Sequence, residues 1–147
     1  MKLFYYFSLT GNLDKVSERL NKDNIEIRKV ETIRKFPKKM FPLMMTGGFL
    51  AGINAKTKLK DFNKDTDGFD EIIIGSPIWN GRISSPINYL LKNIDLNDKN
   101  ITFIFTAGSG KGPKALKKVN KLYPKAKVIF LKEPKKYNEE LEKVKEL

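Results

Sequence analysis

The chain has 147 residues, of which 40% are hydrophobic and 31% are charged. This length predicts a single domain over residues 1–147, burying roughly 70% of the surface that the unfolded chain exposes. The chain contains no Cys and no His, which excludes disulfides, thiol catalysis, zinc sites made of Cys and His, and catalytic triads with an imidazole. Any chemistry is therefore expected to come from a cofactor, or the chain performs none.

The net charge is +12, from 29 Lys and Arg against 17 Asp and Glu, and a balance of this kind suggests a nucleic-acid ligand. No nucleic-acid motif accompanies the lysines, however. The aromatic residues lie in apolar runs instead of alternating with basic residues, as a base-stacking surface requires. We therefore expect the lysines to cover solvated helix faces, and we expect no nucleic-acid partner.

The apolar run at residues 3–7 is shorter than the core of a signal peptide, and no stretch approaches the roughly 20 apolar residues that span a bilayer. We expect a soluble, cytoplasmic protein with no membrane partner.

Apolar runs and amphipathic stretches alternate along the chain. Strands are predicted at residues 3–7, 25–30, 72–74, 101–105 and 128–131. The second run is the most polar and predicts an edge strand, whereas the others are typical of strands buried on both faces. Helices are predicted at residues 12–22, 85–94, 113–123 and 138–147. This alternation predicts an α/β sandwich with a parallel sheet, whose ligands bind at the carboxyl ends of the strands.

The first loop at that edge reads Ser8-Leu9-Thr10-Gly11-Asn12 and opens a predicted helix. The first turn of a helix has unpaired N–H groups and the positive end of the helix dipole, so it can hold a phosphate. Ser8, Thr10 and Asn12 add side-chain donors. The loop has no Lys or Arg, which disfavours a nucleoside triphosphate and its P-loop lysine. An ordinary helix cap is the competing interpretation, because Ser, Thr and Asn are favoured capping residues.

Two further loops are predicted at the same edge. Residues 75–82 contain the only Trp of the chain, Trp79, beside Pro77 and Gly81. Its indole can either cover a flat ring or fold back onto the sheet. Residues 106–112 are rich in glycine, so a ligand can approach the backbone closely. The spacing of these glycines fits neither a Walker loop nor a dinucleotide fingerprint.

Together, the three loops resemble the flavodoxin family over nearly the whole chain. In that family the first loop carries a Thr/Ser-x-Thr-Gly-x-Thr pattern that binds the phosphate of FMN, and Ser8, Thr10, Gly11 and Asn12 match it. Leu13 replaces the last hydroxyl, which implies a phosphate site weaker by one hydrogen bond, roughly 0.5–1.5 kcal/mol. The Leu13 N–H remains a donor.

The resemblance implies a flavodoxin-like three-layer sandwich with five parallel strands in the order 2-1-3-4-5 and helices on both faces. It also implies that two loops flank the isoalloxazine ring. These contain Pro77, Ile78, Trp79, Asn80 and Gly81, and Thr106, Gly108, Ser109 and Gly110.

The function implied is that of an FMN-binding electron carrier between redox proteins, and the positive charge of the chain favours acidic partners. One alternative is an FMN-dependent NAD(P)H oxidoreductase that acts on a small quinone, nitro or azo acceptor. Another is a basic binding module that keeps the fold without a flavin.

Two segments outside these loops also need an interpretation. Residues 63–68 begin like a calcium loop, but Ile74 stands where that motif needs a Glu, so a solvated turn is expected. Residues 40–52 are unusually apolar and rich in Met, which predicts either a short helix on the sheet or a surface for a partner.

Overall fold

A parallel sheet forms the centre of the protein in the computed structural model, which describes residues 1–35 and 57–147. Its strands are β1 (Lys2–Tyr6), β2 (Ile25–Lys29), β3 (Glu71–Trp79), β4 (Arg82–Ile83), β5 (Asn100–Ala107) and β6 (Lys127–Lys132). Five of them run parallel in the order β2-β1-β3-β5-β6, and the two-residue β4 pairs antiparallel with the end of β3. The predicted five-stranded parallel order is thus confirmed, with β4 as an addition.

The described helices are α1 (Asn12–Arg19), α2 (Ser85–Asn93), α3 (Pro113–Leu122) and a 3₁₀ helix at Asn138–Val144. The predicted α-helix at residues 138–147 is wrong in type. Only Leu141 and Val144 of this segment are buried. Their spacing of three residues places both on one side of a helix with three residues per turn.

The helices cover both faces of the sheet and divide the core in two. On one face α2 and α3 pack against residues such as Leu3, Tyr5 and Phe105. On the other, Phe4 and Ile73 contact the buried side chains of α1 and the 3₁₀ helix. The alternation follows from strand geometry, in which successive side chains point to opposite faces. The result is the predicted three-layer sandwich.

Gly75 lets α1 lie directly on the central strand. A Cβ atom at this position would come within 2.9 Å of Leu13 Cδ2, Phe4 Cε2 and Tyr6 Cβ, closer than carbon atoms approach in a packed core. The start of α1 can therefore pack against β3 only because residue 75 has no side chain.

The remaining predictions concern segments outside the sandwich. In the turn at residues 63–68, the side-chain oxygens of Asn63 and Asp65 accept hydrogen bonds from the backbone N–H groups of Asp65 and Asp67. No helix within residues 1–35 and 57–147 is long and apolar enough to cross a membrane. Residues 40–52, for which a helix or a partner surface was predicted, lie outside the described residues.

Candidate functional site

Three connections meet at the carboxyl ends of the parallel strands. Phe7 directly follows β1, and its ring packs edge-on against Trp79 at the end of β3, with ring centroids 5.9 Å apart. Gly112 follows β5, and a Cβ atom there would lie 2.9 Å from Ile78 Cδ1. The three predicted loop regions are therefore contiguous in space, at the point between β1 and β3 where the strand order reverses.

The first turn of α1 is open to an anion. Gly11 precedes the helix with φ of 93°, a left-handed conformation that favours glycine, and its N–H donates to Ser8 Oγ at 3.2 Å. No side chain in the described part of the chain caps α1, so the ordinary capping interpretation does not describe this loop. The first-turn N–H groups therefore have no side-chain partner among these residues, and together with the positive end of the helix dipole they suit a phosphate.

Asn12 and Leu13 support this loop from two sides. The Asn12 amide donates to Thr10 Oγ1 at 3.2 Å, in an exposed position. This hydrogen bond helps to fix the shape of the loop. Leu13 is buried in the core beneath α1, which accounts for an apolar residue where a hydroxyl was expected.

Asp14 places a carboxylate in the first turn of α1, but its charge is compensated by neighbours. Its Oδ1 accepts hydrogen bonds from Lys29 Nζ at 2.8 Å and from the Tyr6 hydroxyl at 2.9 Å. The hydrogen bond with Asp14 raises the pKa of the Lys29 amine above its usual value. An anion at the helix start therefore meets little repulsion from Asp14.

The loop also has a cation that sequence reasoning missed. Lys135 follows β6, and its Nζ donates to the carbonyl oxygen of Thr10 at 3.2 Å. Its backbone N–H donates to Asn12 Oδ1 at 3.0 Å. The prediction of a loop without basic groups holds for residues 8–13 themselves, but the fold brings an ammonium group to them. No local sequence pattern connects positions 10 and 135, since only the sheet order brings them together.

The second predicted loop is a β-hairpin. Residues 75–79, Pro77, Ile78 and Trp79 included, continue β3, and β4 begins at Arg82. The prediction of a loop over residues 75–82 was therefore wrong. Asn80 and Gly81 form the turn with φ of 52° and 72°, the backbone of a two-residue type I′ hairpin, for which Asn-Gly is the preferred sequence. The Gly81 carbonyl accepts a hydrogen bond from the Ala115 N–H at 2.8 Å, which fixes the hairpin against α3.

Trp79 is fully buried at the base of this hairpin. Its edge-on contact with Phe7 places the indole directly behind the end of β1. Contact between Trp79 and a bound ring stays a prediction. Ile78 is also buried, whereas Pro77, Asn80 and Gly81 are partly exposed.

The third region splits between strand and loop. Thr106 is buried within β5, whereas Gly108 and Ser109 are exposed in the turn that follows it. Gly110 has φ of 72° and its N–H donates to the Ala107 carbonyl at 3.2 Å. A Cβ atom on Gly110 would lie 3.3 Å from Lys132 Cβ, so this loop packs closely on β6.

Comparison with solved structures identifies the fold. A flavoprotein from Lactobacillus acidophilus NCFM, solved in complex with FMN, matches with a TM-score of 0.68 and 22% identity, covering 94% of this chain and 96% of that one. Its apo-form, solved by NMR, gives 0.61 and 23% over 87% of each chain. A flavodoxin from the domain Archaea gives 0.57 and 12%, covering 100% of this chain and 93% of the other.

No protein-family model matches the chain, and no curated protein sequence does. The strand order, the helices on both faces and these structural matches agree, and the chain has the flavodoxin-like fold.

Proposed function

We propose that this protein binds FMN noncovalently and carries electrons between redox proteins. The observation that carries the proposal is the uncapped start of α1 at the end of β1, with the Lys135 ammonium on the Thr10 carbonyl. This arrangement offers backbone donors, a helix dipole and a cation to a phosphate. The flavoprotein of the same fold that was solved in complex with FMN supports the choice of ligand.

In the proposed complex, Ser8, Thr10, Gly11, Asn12 and Leu13 hold the phosphate. Leu13 contributes its N–H only, because its side chain is in the core. The ring would lie between the hairpin and the region at the end of β5. The hairpin side consists of Pro77, Ile78, Trp79, Asn80 and Gly81, and the other side of Thr106, Gly108, Ser109 and Gly110. The exposed and partly exposed members of both sets are accessible to a ring, whereas the buried Ile78, Trp79 and Thr106 would shape the site from below.

FMN supplies one- and two-electron chemistry when it is bound, so a chain without Cys or His needs only to bind and orient it. The residues around the proposed ring site hold its walls in a fixed position. The hairpin is fixed by the Gly81–Ala115 hydrogen bond, and the loop after β5 by the hydrogen bond from the Gly110 N–H to Ala107. A site whose walls are fixed in this way changes little on ligand binding.

We further propose that the redox partner is acidic. Lys111, Lys114 and Lys135 are exposed around the carboxyl ends of the strands, where an electron must enter or leave. Positive charge at this edge raises the encounter rate with a negatively charged protein. We also propose a cytoplasmic location.

The proposal is tested by adding FMN to apoprotein and recording the visible spectrum and the dissociation constant. Tight binding of FMN, and weaker binding of riboflavin, is expected because riboflavin lacks the phosphate. Absence of binding would leave the flavin-free binding module. Steady oxidation of NAD(P)H by the loaded protein with an added quinone, nitro or azo acceptor would instead favour the oxidoreductase, whereas a carrier turns over only with a protein donor.

A further inference from the structure

A second basic site lies on the face of the sheet that α2 and α3 cover. A cavity of about 260 Å³ lies beside the β3–β4 hairpin where it meets these two helices, and Trp79 and Ile83 form part of its wall. Arg82 borders it from the hairpin, Ser85 and Asn88 from the first turn of α2, and Lys114 and Lys118 from α3. The loop at residues 8–13 precedes α1, which packs on the opposite face. The cavity is therefore separate from the proposed FMN phosphate site.

The three cations around this cavity have no carboxylate to neutralise them. Arg82, Lys114 and Lys118 form no ion pair within residues 1–35 and 57–147. Residues 36–56 contain no Asp or Glu, so they have no acidic side chain to offer either. Burial and the positive charge of Lys92 lower the pKa of the Lys118 amine below its usual value. The cavity is thus a region of positive potential.

The cations leave donors available, whereas Ser85 Oγ is hydrogen-bonded to Thr57 Oγ1 and Asn88 Nδ2 donates to the Ile83 carbonyl. Lys118 Nζ donates to Asn88 Oδ1 at 2.7 Å, which orients the lysine across the cavity from α3 to α2. Arg82 and Lys114 form no side-chain hydrogen bond with the described residues. In addition, α2 begins here without a side-chain cap, so the positive end of its dipole adds to the cations.

We propose that this cavity binds a phosphate group, supplied either by inorganic phosphate or by a nucleotide. A guanidinium matches two phosphate oxygens at once, and two ammonium groups beside it suit a doubly charged anion better than a single carboxylate. The cavity is larger than a free phosphate, which leaves room for part of a sugar or base. Trp79 also lines the cavity, which therefore adjoins the proposed ring site, but binding of a phosphate group can be tested on the apoprotein without FMN.

The test is a titration of the apoprotein with inorganic phosphate and, separately, with AMP, followed by amide chemical shifts. Binding should shift Ser85, Asn88 and Lys118. Arg82→Gln and Lys118→Gln should weaken it at least tenfold. Lys117→Gln removes the same charge from α3 at a position that does not line the cavity, so this control should bind as the wild type does.

The two titrants separate the sources of the phosphate. AMP binding tenfold tighter than inorganic phosphate would identify a nucleotide, and equal binding would identify the free anion. Lys114→Gln provides a second cavity variant in case Arg82→Gln alters the hairpin. The proposal is overturned if the cavity variants bind as Lys117→Gln does, or if the shifts are confined to residues 8–13. In the second case the FMN proposal survives, which keeps the two failures distinguishable.

Discussion

The Lys135 ammonium donates a hydrogen bond to the carbonyl of Thr10, a residue 125 positions earlier in the chain. The contact exists because β1 and β6 end at the same edge of the sheet. It places a positive charge beside a loop whose own residues are neutral. The strength of any phosphate site here therefore depends on a residue far from the local motif.

Lys135→Gln should weaken FMN by about 1–2 kcal/mol, five- to thirtyfold, because an ammonium near a phosphate dianion is lost from a partly solvated site. Riboflavin affinity should hardly change, since riboflavin has no phosphate. The measurement is the dissociation constant of each ligand at low salt. Lys136→Gln is the matched control because Lys136 contacts the Tyr137 ring instead of the loop. A loss equal for both ligands would argue against the role given to Lys135.

Thr10→Val tests the same site through a neutral donor. The substitution removes a hydroxyl that lies at the exposed rim of the loop and accepts a hydrogen bond from Asn12. FMN should bind roughly 1–2 kcal/mol more weakly, because a phosphate oxygen loses a donor. Calorimetric titration with FMN and riboflavin measures the difference. Equal losses for the two flavins would place the phosphate elsewhere.

Much of this architecture was predictable from the sequence, and the misses have physical causes. The buried strands are recognisable in the sequence because both of their faces are apolar. The first loop is recognisable because Ser8, Thr10 and Gly11 lie close together in the sequence. The hairpin at Asn80-Gly81 was missed although Asn-Gly is its usual signal, because the apolar run that predicts β3 is interrupted at residues 75–77 by Gly75, Ser76 and Pro77. Lys135 was not predictable, since its role depends on a contact that only the folded sheet creates.

Trp79→Phe should lower the affinity for FMN and riboflavin alike. If the indole supports the ring, its loss costs about 0.5–1.5 kcal/mol, the range of an aromatic contact, and the phosphate plays no part. The pattern is the opposite of that expected for Thr10→Val. Ile83→Val, a neighbouring buried change in β4, serves as the control for general loosening of the hairpin. If the folded Trp79→Phe variant binds riboflavin as tightly as the wild type, the indole packs in the core and does not contact the ring.

Gly75→Ala should destabilise the protein by roughly 1–3 kcal/mol, because the added methyl group overpacks the contact between α1 and β3. Part of this cost should vanish in the background of Leu13→Ala, since Leu13 Cδ2 is one of the atoms that the methyl group meets. Denaturant unfolding of the two single variants and the double variant measures the coupling.

The same cycle with Leu90→Ala is the control, because Leu90 is equally buried but lies in the other half of the core. That pair should be additive within about 0.5 kcal/mol. Additivity in both cycles would mean that α1 moves away from Gly75 without cost, contrary to the packing described here.

If the redox partner is acidic, the rate of reduction should depend on lysines near the carboxyl ends of the strands more than on the net charge of the protein. Lys114→Glu combined with Lys117→Glu reverses two charges on the exposed side of α3, and the Lys114 side chain passes close to Gly81 at the hairpin turn. Reduction of the FMN-loaded protein by an acidic ferredoxin-type donor should slow several-fold at low ionic strength, and most of its salt dependence should disappear, because steering depends on charges near the encounter surface. Reduction by dithionite should be little affected.

Lys125→Glu combined with Lys127→Glu makes the same change in net charge at the opposite end of the sheet, where β6 begins. If net charge alone governed the encounter, both double variants would slow the donor equally. Local steering predicts that the second pair retains most of the wild-type rate. Equal rates for wild type and both double variants would remove the acidic partner from the proposal. Loss of tight single-stranded RNA binding in the first pair, with the donor rate unchanged, would replace the electron carrier by a nucleic-acid-binding protein.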